Sequence, residues 1–136
     1  MAGQEPRSKK LKRLVNVQRQ LERMAEGELA ANTEQRREVE QSMEVVMEAI
    51  SSGKPVHMQF SRNYSERYGR LMIKDKQLAG VQQVLESKVL RERTKGDRLE
   101  EQMKEARELE DRERDDNAIY ELLELTLLTG SGKDHT

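Results

Sequence analysis

The chain contains 136 residues, 38% of them charged and 34% apolar, with one Phe, no Trp and no Cys. So few large apolar side chains exclude a thick globular core, and the lack of Cys excludes disulfides, thiolate chemistry and cysteine-ligated zinc. The formal net charge is only -1 and Pro occurs twice, in a composition rich in helix-forming residues, which favours long helices over disorder.

Residues 1–8 are predicted to form a flexible basic N-terminus, and a basic cluster extends from Arg7 to Arg13. The residues after this cluster do not form the apolar run of a signal peptide. No stretch approaches the roughly 18 apolar residues of a membrane span. With no cysteine in the chain, we therefore expect a soluble protein of the cytoplasm.

The first predicted helix covers residues 9–50. Its apolar residues recur at intervals of three and four, the spacing of a stripe along one side of a helix. Two successive intervals of four between Leu21 and Leu29 predict a local unwinding of a supercoil, and Asn32 and Arg36 interrupt the stripe. The stripe comprises Leu14, Val17, Leu21, Ala25, Leu29, Val39, Met43, Val46 and Ile50.

Residues 51–60 are predicted to form the turn that reverses the chain. Gly53 can adopt the left-handed conformation that ends a helix, and Pro55 cannot continue the preceding one. Ser61 then fits the N-cap position of a second helix.

The second predicted helix covers residues 61–128 and contains a strict seven-residue repeat, the pattern of a coiled coil. One repeat position is mostly apolar, whereas the other is mostly polar. The first line comprises Leu71, Leu78, Leu85, Glu92, Leu99, Ala106, Glu113, Tyr120 and Leu127. The second line comprises Lys74, Val81, Lys88, Lys95, Gln102, Leu109, Asp116 and Leu123. A flexible tail is predicted for residues 129–136.

Charge and length predict how the two helices pair. Residues 1–23 contain seven Lys or Arg and two Glu, whereas residues 100–128 contain four Lys or Arg and eleven Asp or Glu. Antiparallel pairing brings these segments together, so we predict an all-α fold in which two long helices form an antiparallel coiled-coil hairpin, one domain over residues 9–128.

The second helix is predicted to be longer than the first. At ~1.5 Å per residue, its last ~30 residues would extend beyond the start of the first helix. Apolar residues in this extension without a partner in their own chain indicate a binding site, a homodimer contact or a segment that folds back. They are Ile119, Tyr120, Leu122, Leu123, Leu125, Leu127 and Leu128.

No set of residues that supports catalysis is found in the sequence. Gly130-Ser131-Gly132-Lys133 resembles the end of a phosphate-binding loop, but the earlier glycine is missing and Asp134 replaces the required Ser or Thr. His57 and His135 lie far apart in the sequence, without the carboxylates of a metal site. We therefore predict that the chain is not an enzyme and has no metal, cofactor or small-molecule substrate.

Phe60, Tyr64 and Tyr68 recur at one-turn spacing just after the turn, and Met72 continues the same stripe. One interpretation is that these residues pack under the turn against the last apolar residues of the first helix. The other is a partner-binding patch, because aromatic residues flanked by arginine are typical interface anchors. Both interpretations are correct if one edge of the stripe is buried and the other edge is exposed.

The chain starts with the basic segment Lys9-Lys10-Leu11-Lys12-Arg13-Leu14, followed by a first helix rich in Gln and Glu. An irregular turn with an aromatic restart and a longer, charged second helix complete the layout. This layout resembles the FliJ family of bacterial flagellar export proteins over nearly the whole chain. The resemblance implies an antiparallel coiled coil similar to the central shaft of rotary ATPases.

The resemblance also implies three partners: the hexameric export ATPase, the membrane protein of the export gate, and export chaperones. The protein would lie in the cytoplasm or peripherally at the inner face of the cell membrane. The paired helix ends would enter the ATPase ring, and the gate-contacting face would lie near the turn. The ATPase-facing residues would be Leu11, Leu14, Val17, Leu21, Tyr120, Leu123 and Leu127. The turn-proximal patch would be Phe60, Tyr64, Tyr68 and Met72.

Three alternatives to this function remain open. The related stalk protein of injectisome-type secretion systems has the same layout, and the chain lacks the aromatic residues that enteric FliJ members carry on the first helix before the turn. A structural homodimeric coiled coil would use Asn32 and Arg36 to set the register between chains. A nucleic-acid-binding coiled coil would use Arg7 to Arg13, although the overall acidity of the chain argues against it.

Overall fold

The computed structural model describes residues 4–133. Three helices occur in this range: α1 is Arg7–Ser51, α2 is Pro55–Gln59 and α3 is Ser61–Lys133. The two long helices, α1 and α3, pack against each other, and the described range contains no strand. The prediction of an all-α protein is therefore confirmed.

The break between α1 and α3 lies within the predicted turn. Gly53 adopts a φ of 66°, which residues with a side chain rarely take, so the chain leaves the helical direction there. Pro55 then opens the five-residue α2, where its missing N–H costs nothing because the first turn of a helix has no acceptor for it. The predicted turn thus contains a short helix that propensity alone does not indicate.

α3 continues to Lys133, whereas the sequence predicts a flexible tail from residue 129. The Thr129 hydroxyl donates to the Leu125 carbonyl at 2.9 Å, which satisfies this side chain within the helix. Gly130 weakens a helix but does not by itself end one. Residues 1–3 and 134–136, at the extremes of the two predicted flexible termini, lie outside the described residues.

The described chain divides into two compact units. The first unit combines residues 4–18 with residues 95–133, and the second unit is residues 19–94. Each unit contains a segment of α1 and a segment of α3, so each has a core of its own.

In the second unit, buried and half-buried residues recur on both helices at alternating intervals of four and three. This spacing is a seven-residue repeat. On α1 these residues include Glu22, Ala25, Leu29, Asn32, Arg36, Val39, Met43 and Val46. On α3 they include Tyr64, Tyr68, Leu71, Asp75, Leu78, Gln82, Leu85, Val89 and Glu92.

Ion pairs connect the two helices at the edges of this core. Arg93 Nε donates to the Glu22 carboxylate at 3.2 Å, and Arg93 also reaches Glu26 at 3.2 Å. Lys88 Nζ donates to Glu28 at 3.1 Å. The hydrogen bond from Arg19 is the main cause that lowers the pKa of Glu22, and the contact with Arg93 lowers it further.

Two polar contacts lie inside the core of the second unit. Asn32 is buried, and its Nδ2 donates to the Leu78 carbonyl at 3.0 Å. The Arg36 and Asp75 side chains lie 3.8 Å apart. These contacts and the ion pairs at the edges follow one order. From Glu22 to Arg36 along α1, the contacted residues of α3 run backwards from Arg93 to Asp75.

The core of the first unit is small. It comprises Leu11, Val15, Gly96, Leu99, Met103 and Ala106, which are buried or half-buried. Gly96 is buried in this core although it contributes no side chain. The burial pattern places Gly96 at a regular position of the seven-residue repeat.

On α3, the first predicted repeat line is observed as buried or half-buried residues from Leu71 to Ala106, but the second line is displaced by one residue. Asp75, Val89 and their equivalents follow the first line at an interval of four, whereas the prediction used an interval of three. The two choices hold similar numbers of apolar residues, so the pattern alone did not distinguish them. The observed second line comprises Tyr68, Asp75, Gln82, Val89, Gly96, Met103 and Glu110.

On α1, the predicted stripe is correct from Ala25 to Val46 and wrong before it. Leu14, Val17 and Leu21 are 53%, 57% and 44% exposed. The buried residues in this part of α1 are instead Leu11 and Val15, followed by half-buried Gln18 and Glu22 at regular spacing. The predicted unwinding after Leu21 is therefore wrong, because the seven-residue repeat continues without a break. Its polar positions, Gln18 and Glu22, both make interactions with other residues.

Candidate protein-binding surfaces

The first unit presents a long exposed stretch at the end of α3. We call residues 117–130 the terminal segment, and none of them is buried. Its large apolar side chains are between 53% and 72% exposed. They are Ile119, Tyr120, Leu122, Leu123, Leu125, Leu127 and Leu128.

The contact at the start of α1 explains this exposure. The Ser8 N–H donates to one Glu110 carboxylate oxygen at 3.0 Å, and the Ser8 hydroxyl donates to the other at 2.5 Å. α1 begins at Arg7, one residue earlier, so residues of α3 well beyond Glu110 lie past the start of α1. Tyr120 is ten residues further along α3, or about 15 Å.

The apolar residues of the terminal segment surround the helix. At 100° per residue, Ile119, Leu123 and Leu127 lie on one side, whereas Leu122 and Leu125 lie on the other. The acidic residues Glu121 and Glu124 occupy one sector, which they share with Leu128. A helix that is apolar around its circumference is typical of one enclosed by other protein.

The predicted ATPase-facing residues divide into two groups. Tyr120, Leu123 and Leu127 belong to the terminal segment and are exposed. Leu14, Val17 and Leu21 of α1 are also exposed, but Leu11 is only 7% exposed and belongs to the core of the first unit. The α1 residues Leu11, Leu14 and Val17 are not paired with the terminal segment, because α1 begins level with Glu110.

The turn-proximal residues are also divided. Phe60 and Met72 are exposed, whereas Tyr64 and Tyr68 are half-buried. Tyr64 meets the His57 ring edge-on, with centroids 6.0 Å apart and an interplanar angle of 80°. Tyr64 and Tyr68 line different grooves, so the aromatic stripe does not form one continuous patch.

The groove at Tyr68 has a volume of about 460 Å³ and a mixed character. Three glutamates of α1 and one aspartate of α3 line it, together with two methionines and the tyrosine ring. We call it the acidic groove, and its lining is Glu40, Met43, Glu44, Met47, Glu48, Tyr68 and Asp75. This groove was not predicted from the sequence, although Glu40, Glu44 and Glu48 recur at four-residue spacing beside Met43 and Met47.

The groove at Tyr64 has a volume of about 440 Å³ and contains His57. His57 Nδ1 and the Ser52 hydroxyl are 2.5 Å apart, so this histidine is held at the turn. Its position fits a structural role in joining α2 to the end of α1. No three His, Cys, Asp or Glu residues are placed to hold a metal ion within residues 4–133.

No helix in the described part of the chain combines the length and the apolar content needed to cross a membrane. Comparisons with protein-family models, with curated proteins and with solved structures gave no match to this chain.

Proposed function

We propose that this chain is a non-enzymatic, antiparallel coiled-coil hairpin of the bacterial flagellar type III export apparatus, where it binds and stimulates the export ATPase. The observation that carries the proposal is the terminal segment, a stretch of α3 that is exposed and apolar around most of its circumference, apart from the sector of Glu121 and Glu124. Contacts within the second unit support antiparallel pairing. Glu22, early in α1, contacts Arg93, whereas the later Arg36 contacts Asp75, which comes earlier in α3.

The chemistry of the terminal segment favours a partner that encloses it. A flat partner would cover one side of the helix and leave Leu122 or Leu127 in water, whereas a ring covers all sides. The central opening of a hexameric ATPase is such an enclosure, and it is the partner that the resemblance to the FliJ family implies. The same resemblance implies contacts of the turn-proximal residues with the export gate and with export chaperones.

The proposed mechanism is allosteric. A single helix in a six-fold ring cannot contact all subunits equally, so it stabilises different conformations in different subunits. Such a bias promotes ring assembly and sequential turnover. The protein would act in the cytoplasm and at the inner face of the cell membrane, without chemistry of its own.

A variant with Tyr120→Ala, Leu123→Ala and Leu127→Ala tests the proposal. Wild-type protein should raise the ATP turnover of the cognate export ATPase, and the variant should lose much of this effect because three of the seven large apolar side chains of the terminal segment are truncated. The measurement is steady-state phosphate release together with the assembly state of the ATPase. Circular dichroism should show unchanged helix content, since all three side chains are more than half exposed.

The matched control carries Ile73→Ala, Val84→Ala and Leu90→Ala, three comparably exposed apolar residues of α3 in the second unit. It should stimulate as wild type does. An ATPase whose turnover and assembly are indifferent to the wild-type protein would overturn the proposal.

Self-association is a second candidate, because the same terminal segment can be covered by a second copy. Light scattering distinguishes the two functions. A dimer that dissociates when Tyr120, Leu123 and Leu127 are replaced by Ala, without any effect of wild-type protein on the ATPase, would favour a structural homodimer.

A further inference from the structure

The acidic groove lies entirely in the second unit and is built by α1 and α3. We propose that it binds a basic amphipathic helix of a partner protein. The inference does not depend on the export function, because it rests on residues remote in sequence from the terminal segment and on a different chemistry.

The floor of the groove is apolar and adaptable. Met43 and Tyr68 are half-buried, and Met47 is 42% exposed, so thioether and ring surfaces are open to an occupant. Methionine is unbranched and polarizable, which lets it fit side chains of different shapes. Methionine and tyrosine are also enriched in the cores of protein interfaces.

The rim of the groove is negatively charged. Glu40, Glu44 and Glu48 are exposed and recur at four-residue intervals, so their carboxylates form a row about 12 Å long on one side of α1. No ion pair engages these three glutamates among residues 4–130. Asp75 adds a carboxylate from α3, although it also lies beside Arg36.

The stretch of α1 that carries the row contains no basic residue of its own. Residues 38–53 of the chain contain four Glu and no Lys or Arg. On α3, Arg67 and Lys74 line other grooves, with Val45 and Val39 respectively. No described ion pair therefore gives the carboxylates of Glu40, Glu44 or Glu48 a basic partner.

An occupant must complement both the floor and the rim. A row of carboxylates spaced by one helical turn matches Lys or Arg residues at the same spacing on a second helix. Apolar residues at three- and four-residue intervals on that helix would pack on Met43, Met47 and Tyr68. An extended or flexible basic segment would match the charge but not the periodic apolar floor.

The test uses a fluorescein-labelled 18-residue helical peptide with Leu along one face and Lys on both flanks. Full-length protein should bind it in a fluorescence anisotropy titration, and the affinity should fall as salt is raised. A peptide with every Lys replaced by Glu should not bind. A peptide of the same composition in which two Pro residues prevent a helix should bind at least tenfold more weakly.

The variant Glu40→Gln, Glu44→Gln, Glu48→Gln removes the row of charge and keeps the size of each side chain. It should weaken binding of the Lys peptide by about five- to tenfold, because exposed pairs contribute modestly and three are lost. The control is Glu101→Gln, Glu105→Gln, Glu108→Gln, three exposed carboxylates of the first unit, which should bind as wild type does. Met47→Glu should also weaken binding, since it places a charge on the apolar floor.

Three outcomes would overturn the inference. One is equal binding of the Lys and Glu peptides, and another is an affinity that the Glu40, Glu44 and Glu48 replacements leave unchanged. The third is a dimer in light scattering that these replacements dissociate, because the occupant of the groove would then be a second copy of this chain. Equal binding of the Pro-containing peptide would contradict the helical nature of the occupant.

Discussion

Glu110 holds the start of α1 although it belongs to α3. The first turn of α1 contains no acidic residue of its own, and its free N–H groups favour a negative charge. Glu110 provides this charge and accepts hydrogen bonds from the hydroxyl and the N–H of Ser8, which lower the pKa of Glu110. A single side chain therefore connects the capping of one helix to its packing on the other.

This contact predicts a pH-dependent stability. The pKa of Glu110 lies below its ordinary value of 4.5, so the ionised carboxylate stabilises the fold at neutral pH, and this contribution is lost as the pH falls through the lowered pKa. Glu110→Gln should have a lower urea midpoint than wild type at pH 7, and the difference should close between about pH 5 and pH 2. Circular dichroism gives the midpoints. Glu108→Gln is the control, and a difference that persists in acid would contradict this assignment.

Arg36 and Asp75 form the least satisfied contact of the second unit. Arg36 Nε and Asp75 Oδ1 are buried and make no hydrogen bond, and the side chains are 3.8 Å apart. Such a pair contributes little net stability, since desolvation offsets the attraction between the charges. We expect the pair to disfavour other registers of α1 on α3, which would leave each charge without its partner.

Single and double replacements measure how much this ion pair contributes to the free energy of unfolding. Asp75→Leu should lower the free energy of unfolding by about 1–3 kcal/mol because it leaves Arg36 unpaired in the core. Arg36→Leu combined with Asp75→Leu should recover this loss or exceed wild type. Urea unfolding measures both variants. A double variant as unstable as the single one would mean that the pair contributes net stability.

At the scale of the helices, glycines weaken α1 and α3 without a packing reason. Gly27 and Gly80 are exposed within the helices, and a Cβ at either position would meet no atom within 4 Å. Gly53 differs, because its φ of +66° is strained for any residue with a side chain. Space is available at all three positions, so only the backbone conformation distinguishes them.

These glycines predict opposite effects of one substitution. Gly27→Ala and Gly80→Ala should each raise the free energy of unfolding by about 1 kcal/mol, because Ala is the better helix former. Gly53→Ala should lower it by about 1 kcal/mol, because the left-handed conformation is retained against steric cost. Thermal unfolding followed by circular dichroism compares the three. Stabilisation by Gly53→Ala would show that the turn readily takes another conformation.

The helices also show what periodicity can and cannot predict. Two long helices and the break at Gly53 follow from composition and turn chemistry. The register of α1 before Ala25 cannot be predicted in this way, because Leu14, Val17 and Leu21 form an apolar stripe as regular as the observed one. Glu22 can occupy a position of the observed repeat because Arg93 pairs with it. Arg93 is 71 residues away in the sequence, so a local pattern contains no information about this partner.

At the scale of the whole molecule, the binding surfaces proposed for the two units differ in chemistry. The terminal segment was foreseeable, because the lengths of the two helices and a run of leucines predict it directly. The acidic groove was not, because Glu40, Glu44 and Glu48 look like an ordinary solvated face until Tyr68 and Asp75 are placed opposite them. The glutamates and methionines of α1 form a groove only where Tyr68 and Asp75 of α3 close its other side.

The exposure of the terminal segment also affects how long the free protein survives. Backbone hydrogen bonds of a helix without tertiary packing open readily, and an opened stretch is a substrate for proteases. An enclosing partner would close off that route. The half-life of the chain in the cell would then follow the supply of its partner, so that copies made in excess are degraded from this end first.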